Sequence, residues 1–245
     1  MRKKYRLTDQ IGAEDRIEMV RDIFSTITGR YDFLNHFLSL RQDIFWRRFA
    51  AERMHFFKTD RFLDAASGTC DLAIEAAVRY PDVHVTGLDF VEQMLNQGKK
   101  KIADKGLSAR IDLVRGDALA IPFQENTFDS AGIAFGIRNI PDKIKALSEL
   151  RRVVAVGGSL LVLELSLPES RYFRRCYDRY LNKLLPAVAE AFSPNPAAYQ
   201  YLAESIMRFP SVKGFAEIMQ QAGWVDVQAY ALTLGICRLY KGRKA

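Results

Sequence analysis

Between residues 61 and 166, short apolar runs alternate with stretches whose apolar residues recur every three or four positions, the pattern of strands interleaved with amphipathic helices. RFLDAAS (61–67) reads as a first strand running into a loop of small residues, DLAIEAAVRYPD (71–82) as a helix, and VHVTGLDF (83–90) as a second strand. VEQMLNQGKKKIADKG (91–106) predicts a helix closed by Gly106, ARIDLVRGDA (109–118) a third strand and FDSAGIAFGI (128–137) a fourth. After the helix DKIKALSELRRVV (142–154) come a turn at AVGG and the strand SLLVLELSL. Strands repeatedly followed by helices imply a doubly wound parallel sheet with right-handed crossovers. Beyond Gly223, WVDVQAYALTLGICRLYKGR reads as a hairpin turning near Leu234 and Gly235, which would bring one antiparallel strand into a seven-stranded sheet.

The two ends follow a different pattern. Residues 1 to 58 look helical, with Val20, Ile23, Phe24 and Ile27 on one stripe and Phe45, Trp46 and Phe49 on another, and residues 171–222 look helical too. In RYFRRCYDRYLNKLL (171–185), Tyr172, Cys176, Tyr180 and Leu184 recur at four-residue spacing beside Phe173, Tyr177, Leu181 and Leu185, with arginines on the other side. Such a helix can lie on an anionic membrane, roof an apolar pocket, or pack on its own domain with solvated arginines, and the pattern leaves all three open. The expected organisation is one α/β domain: a helical N-terminal lid (1–58), a ligand-binding core (59–168), a helical cap (169–222) and the C-terminal hairpin (223–245).

Composition narrows the function classes. With 245 residues, 49% hydrophobic and 27% charged, the chain can bury one substantial core. It has no run of about 18 apolar residues, and its basic start, MRKKYRLTDQ, leads into no signal region, so a cytoplasmic protein is expected. A net charge of +7 is compatible with nucleic acid, anionic lipid or an acidic substrate, but no nucleic-acid motif is present and no nucleic-acid partner is expected. Cys70, Cys176 and Cys237 lack metal-ligand spacing, so free thiols and no metal are expected.

The chemistry gathers at strand ends. DAASGTCDLA (64–73) places small residues between two carboxylates, Asp64 and Asp71, where a backbone can approach a polar ligand closely. Asp89 ends the second strand, where an acid can hold two ribose hydroxyls, and Asp117 ends the third, within reach of an adenine amino group. Taken singly, each is more often a turn or cap residue; together they predict a nucleoside site. The loop has a single glycine, Gly68, and keeps Asp71 where a pyrophosphate would be repelled, so S-adenosylmethionine (SAM), which is cationic, fits better than NAD.

Several segments then resemble the ubiquinone/menaquinone biosynthesis C-methyltransferases, the UbiE/MenG type of class I SAM-dependent methyltransferase. They are RYDFLNHFLSLRQDIFWRR, LDAASGTCDLA, GLDFVEQML, GDALAIPFQENTFDS, FGIRNI, VGGSLLVLELSLP and AYQYLAESIMRFP, within a resemblance that spans roughly residues 20–243. The resemblance implies the Rossmann-like class I methyltransferase fold, SAM as cofactor and a prenylated quinol as partner substrate. It implies Thr69, Asp89, Asp117 and Ala118 as SAM contacts, within a site that also takes in Asp64, Ser67, Gly68, Asp71, Phe90, Met94 and Ala134. Arg138 and Asn139 would face the reacting ring, the guanidinium steadying charge on a phenolate oxygen and the amide orienting the ring. His36 and Asp32, in YDFLNH, are the nearest groups to accept a proton.

Departures from the family pattern bear on substrate choice. Ser67 and Cys70 replace loop glycines, and Cys70 is expected to crowd the methionine portion of SAM. Ala134 stands where a serine is usual, and Val156 where a proline precedes GG. The expected reaction is methylation of a ring carbon of demethylmenaquinol or the related ubiquinone precursor. A SAM-dependent methyltransferase acting on another small or lipid-like acceptor and a non-catalytic quinone-binding relic are the alternatives. Contact with the inner face of an anionic membrane and homodimer formation stay open.

Overall fold

The structure, a computed structural model, describes residues 12–192 and 195–245, without the side chains at 13, 14, 16, 17, 27–31, 33, 34, 188, 189, 191, 192 and 196. The basic start at 1–10 and the stripe member Ile27 therefore lie outside the described residues. Strands β1 (Arg61–Ala65), β2 (His84–Asp89), β3 (Ile111–Arg115) and β4 (Phe128–Ala134) alternate with helices α3 (Asp71–Arg79) and α4 (Glu92–Asp104). Helix α5 (Lys143–Val153) leads into β5 (Val154–Leu165), and β6 (Val225–Leu232) and β7 (Cys237–Arg243) form the closing hairpin. Two N-terminal helices, α1 (Ala13–Leu38) and α2 (Gln42–Ala51), precede the sheet. Between β5 and β6 lie α6 (Arg171–Arg179), a π-helical turn (Tyr180–Leu184), α7 (Leu185–Phe192), α8 (Pro196–Met207) and α9 (Val212–Gln221).

The seven strands run in the order β3-β2-β1-β4-β5-β7-β6. Leu63 of β1 pairs in parallel with Thr86 of β2 and Ala131 of β4, so β1 is central and the chain reverses direction across the sheet between β1 and β4. Strand β7 runs antiparallel between β5 and β6, with Leu163 opposite Leu239. This is the expected doubly wound sheet with one antiparallel strand. The turn expected at AVGG is absorbed into β5: Phe128 pairs with Val154 and Ser130 with Ser159, so residues 155–158 bulge opposite Asp129 alone. Gly158 makes the bulge possible, because a Cβ there would lie 2.3 Å from the Asp129 carbonyl oxygen.

Alternate residues of each strand feed opposite cores. Phe62, Val85 and Leu161 pack with Leu72 and Ala76 of α3 and Trp46 of α2. Leu63, Ile133 and Leu160 pack on the other face with Leu147 and Leu150 of α5 and Phe215 of α9. A third core joins the two ends of the chain: Val20 and Ile23 of α1 meet Tyr177, Leu181, Leu185, Tyr199 and Ile206. The amphipathic segment at 171–185 thus buries one stripe inward, while Arg171, Arg174, Arg175 and Arg179 face outward. No helix among the described residues is long and apolar enough to cross a membrane.

Candidate active site

At the carboxyl ends of β1 to β4, where the strand order reverses, the loops part to form a cleft. It is lined from β1 by Asp64, Ser67, Gly68, Thr69 and Asp71, from β2 by Asp89, Phe90 and Met94, and from β3 by Asp117 and Ala118, with Ala134 and Asn139 beyond β4. All the residues expected to bind cofactor are therefore brought to one cavity. Val20 and Phe24 of α1 form part of its wall.

The acids differ in state. Asp64 is fully buried; burial pushes its carboxyl up to about 8, against the pull of a hydrogen bond from the Ala73 N–H at 2.9 Å. Its Oδ1 faces this cleft residue's buried surroundings without a hydrogen-bond partner, so a donor or cation arriving there would be welcomed. Asp89 accepts the N–H groups of Gly68 and Val91 at 2.8 Å each, yet burial dominates and raises it. Each carboxylate oxygen has a second acceptor site, leaving capacity for ribose hydroxyls. Asp117 accepts the Leu119 N–H at 2.8 Å in a turn and stays exposed at the rim. A buried acid with an unsatisfied oxygen, a loop of small residues and a carboxylate at the end of β2 fit SAM.

One expectation about this loop is corrected, that for Cys70. Asp71 does not stand alone: Lys101 of α4 donates to its Oδ1 at 2.5 Å and to Asp32 Oδ2 at 2.8 Å, and Arg47 lies 3.7 Å from it. The same pairing outweighs burial and raises Lys101 above its ordinary value. Nor does Cys70 crowd the cleft. It holds the left-handed backbone (φ +67°) that opens α3, is fully buried, and sends its sulfur toward Gly98 of α4.

A second, predominantly apolar cavity of about 380 Å3 adjoins the cleft. Leu38 and Leu40, Trp46, Leu165, Tyr177, Leu181, Leu202 and Ile236 supply walls from α1, α2, β5, the C-terminal helices and the hairpin. Tyr180 closes one side by donating its hydroxyl to the Leu38 carbonyl at 2.9 Å.

The three catalytic candidates separate here. Asn139 lines the cleft and accepts the Tyr201 hydroxyl at 3.0 Å. Arg138 lines the apolar cavity instead, and its guanidinium is engaged: Nη1 donates to Glu164 Oε1 at 2.6 Å and to the Phe135 carbonyl at 2.5 Å. Its backbone N–H donates to Glu164 Oε2 at 3.1 Å, so this buried pair fixes the turn Ile137–Asn139. Arg138 thus lies on the apolar cavity with its guanidinium paired to Glu164. His36 lines neither cavity; its Nδ1 lies 2.8 Å from Asp43 Oδ2, and it is Asp43 that lines the second cavity. Asp32 is held by Thr69 and Lys101.

Sequence reading passed over Arg47, Asp43, Lys101, Glu164 and Tyr201. All five lie within segments set out above for their pattern or resemblance, but nothing in their type or spacing marks them as site residues. Burial pushes the Asp43 carboxyl up, but Arg47, Ser39 and His36 outweigh it and hold the group below the ordinary carboxylate range.

Comparison with known proteins agrees with this geometry. The model of the ubiE/COQ5 methyltransferase family matches residues 10–244. A ubiquinone/menaquinone biosynthesis C-methyltransferase UbiE of Geobacter sulfurreducens is 42% identical over 241 residues, 98% of this chain and 91% of the relative. A demethylmenaquinone methyltransferase of Deinococcus radiodurans is 39% identical over 231 residues, 94% and 95% of the two chains. Among solved structures, a SAM-dependent methyltransferase of Thermotoga maritima superposes with a TM-score of 0.62 at 19% identity, covering 91% of this chain and 99% of that one. At that identity the likeness bears on the fold.

Proposed function

The chain belongs to the ubiE/COQ5 methyltransferase family, and we propose that it transfers the methyl group of SAM to a ring carbon of demethylmenaquinol. It is a SAM-dependent methyltransferase of quinone biosynthesis; the particular head group is the proposal. The observation that carries it is the apolar cavity beside the cofactor cleft, roofed by helices from both ends of the chain and suited to a prenylated ring.

When bound, SAM supplies an electrophilic methyl: the C–S electron pair returns to sulfur as the new C–C bond forms, and the ring carbon's hydrogen leaves as a proton. The protein's part is to hold, orient and exclude water. Asp89, Asp117 and the loop Ser67–Thr69 hold the nucleoside and its tail, while Asp64 meets the cationic end. Asn139, steadied by Tyr201, orients the ring edge, and the Arg138–Glu164 pair keeps that turn in place. His36 acts through Asp43.

Leu40 and Leu234, 81% and 62% exposed, border the apolar cavity on loop tips with positive φ, near Phe173. Arg41 follows Leu40, and Arg174 and Arg175 follow Phe173, so this rim combines apolar tips with cations and suits the surface of an anionic bilayer from which a prenylated quinol is drawn.

The test incubates the protein with labelled SAM and short-chain demethylmenaquinol under reducing conditions, followed by mass spectrometry. A product heavier by one methylene, with the label on the ring, is expected. Cofactor binding without methylation of this quinol, or methylation of only the ubiquinone precursor, overturns the assignment.

A further inference from the structure

Methyl transfer brings together a donor held in one cavity and a ring held in the other, so the reacting atoms meet at the wall the two share. Among the described residues, Arg47 and Phe135 alone line both cavities. We infer that Arg47 is the catalytic cation at that wall, its guanidinium set against the quinol hydroxyl so that the bound hydroxyl ionises readily. The inference rests on the function proposed above.

The geometry is specific. Arg47 lies on α2, is 8% exposed, and its guanidinium carbon stands 5.2 Å from the centroid of the Phe135 ring. Asp43 accepts from Nη1 at 2.5 Å on the side of the apolar cavity, and Asp71 lies 3.7 Å from Nη2 on the cofactor side, beyond hydrogen-bond length for that pair. Asp71 is itself held at 2.5 Å by Lys101. Phe135 is held at φ +58°, a costly backbone for a bulky residue, with its N–H donated to the Leu163 carbonyl at 2.7 Å. The strained ring and the stacked cation thus form one fixed partition.

A guanidinium in a water-poor site favours the charged form of a phenol within about 4 to 6 Å, typically by about 1 to 3 pKa units. The O–H bond breaks, its electron pair stays on oxygen as the phenolate, and the proton passes to bulk water. Arg138 lines only the apolar cavity, whereas Arg47 stands at the wall shared with the cofactor cleft.

Ionisation can be read without SAM. A 4-methoxy-1-naphthol carrying a short prenyl chain resists oxidation, and its naphtholate has its own absorption band. Titrated while bound to the protein, it reports the hydroxyl's midpoint. The groups facing it are Asp43 and Arg47 from α2, Asp71 from α3, Arg138 after β4, and Tyr177 and Tyr180 from the C-terminal helices, with His36 behind Asp43 and Lys101 behind Asp71. Wild-type protein should lower the midpoint by about one unit or more relative to the naphthol in detergent micelles, and Arg47→Gln should abolish that lowering. Should Arg47→Gln not fold, as judged by near-ultraviolet circular dichroism, Arg47→Lys decides the matter. It should keep most of the lowering while methylating demethylmenaquinol at least about tenfold more slowly, because a point charge lacks the planar fork. A midpoint the same in Arg47→Gln as in wild type, or a folded Arg47→Lys protein that lowers the midpoint no more than micelles do, overturns the inference while leaving quinol methylation standing. A wild type that lowers the midpoint but methylates no demethylmenaquinol overturns the substrate assignment instead.

Discussion

Cys70 and Gly98 show how a change in a cofactor loop can be answered elsewhere. Buried Cys70 points its sulfur into the gap that Gly98 leaves in α4, where an added methyl would lie 2.4 Å from that sulfur and 3.3 Å from the cysteine Cβ. Replacing a glycine in the middle of a helix by alanine ordinarily stabilises by about 0.5 to 1 kcal/mol. Here overpacking of about 1 to 3 kcal/mol outweighs that gain, so Gly98→Ala should be net destabilising by about 1 kcal/mol. In a Cys70→Gly background the obstruction is gone and the same substitution should stabilise. Urea unfolding of the two single variants and the double variant measures the coupling; additive effects would mean the thiol swings aside freely. Cys70→Gly alone should leave SAM affinity nearly unchanged, because the thiol faces α4 and not the cleft.

The segment leading into β1 hangs on a single carboxylate of β4. Asp129 Oδ2 accepts four successive backbone N–H groups, from Phe57, Lys58, Thr59 and Asp60, at 2.9 to 3.0 Å. Burial pushes this carboxyl up, but the four donors outweigh it and hold it below its ordinary value. A depressed folded pKa contributes stability that is present above the unfolded value, about 3.9, and is lost as pH falls through the folded one. Asp129→Ala should therefore cost about 3 kcal/mol near neutrality, lowering Tm by roughly 6 to 12 °C, and the variant's stability should fall less steeply in acid than that of wild type. Thermal unfolding followed by circular dichroism across that pH range checks both; equal Tm values would show the loop is anchored by other contacts. The strand bearing Asp129 was readable from its run of apolar residues, and so were the acids at strand ends, because a strand's end fixes where its last side chain emerges. The bulge opposite Asp129 was not, since it arises from pairing with a distant strand. For the same reason Arg47 and Lys101 escaped notice: each sits on a helix face that looks solvated until α2 and α4 are packed around the loop.

Taken as one body, the protein puts its charged and polar site residues at one edge of the sheet and its apolar loop tips beside it. If the rim formed by Leu40, Leu234 and Phe173 docks on lipid, the protein should co-sediment with phosphatidylglycerol-containing vesicles and much less with pure phosphatidylcholine. Replacing Leu40 and Leu234 together by aspartate should abolish most of that binding without altering SAM affinity; undiminished co-sedimentation would place the contact elsewhere. Helix α1 ties this edge together. Its Val20 and Phe24 wall the cofactor cleft, its Asn35 and Leu38 wall the apolar cavity, and its Asp32 is clasped by Thr69 at 2.6 Å and Lys101 at 2.8 Å. The two chambers therefore share one wall-bearing helix. A displacement of this one helix would therefore disturb the walls of both chambers at once. What holds it against the cofactor loop is an ion-paired clasp, a contact that added salt weakens by screening.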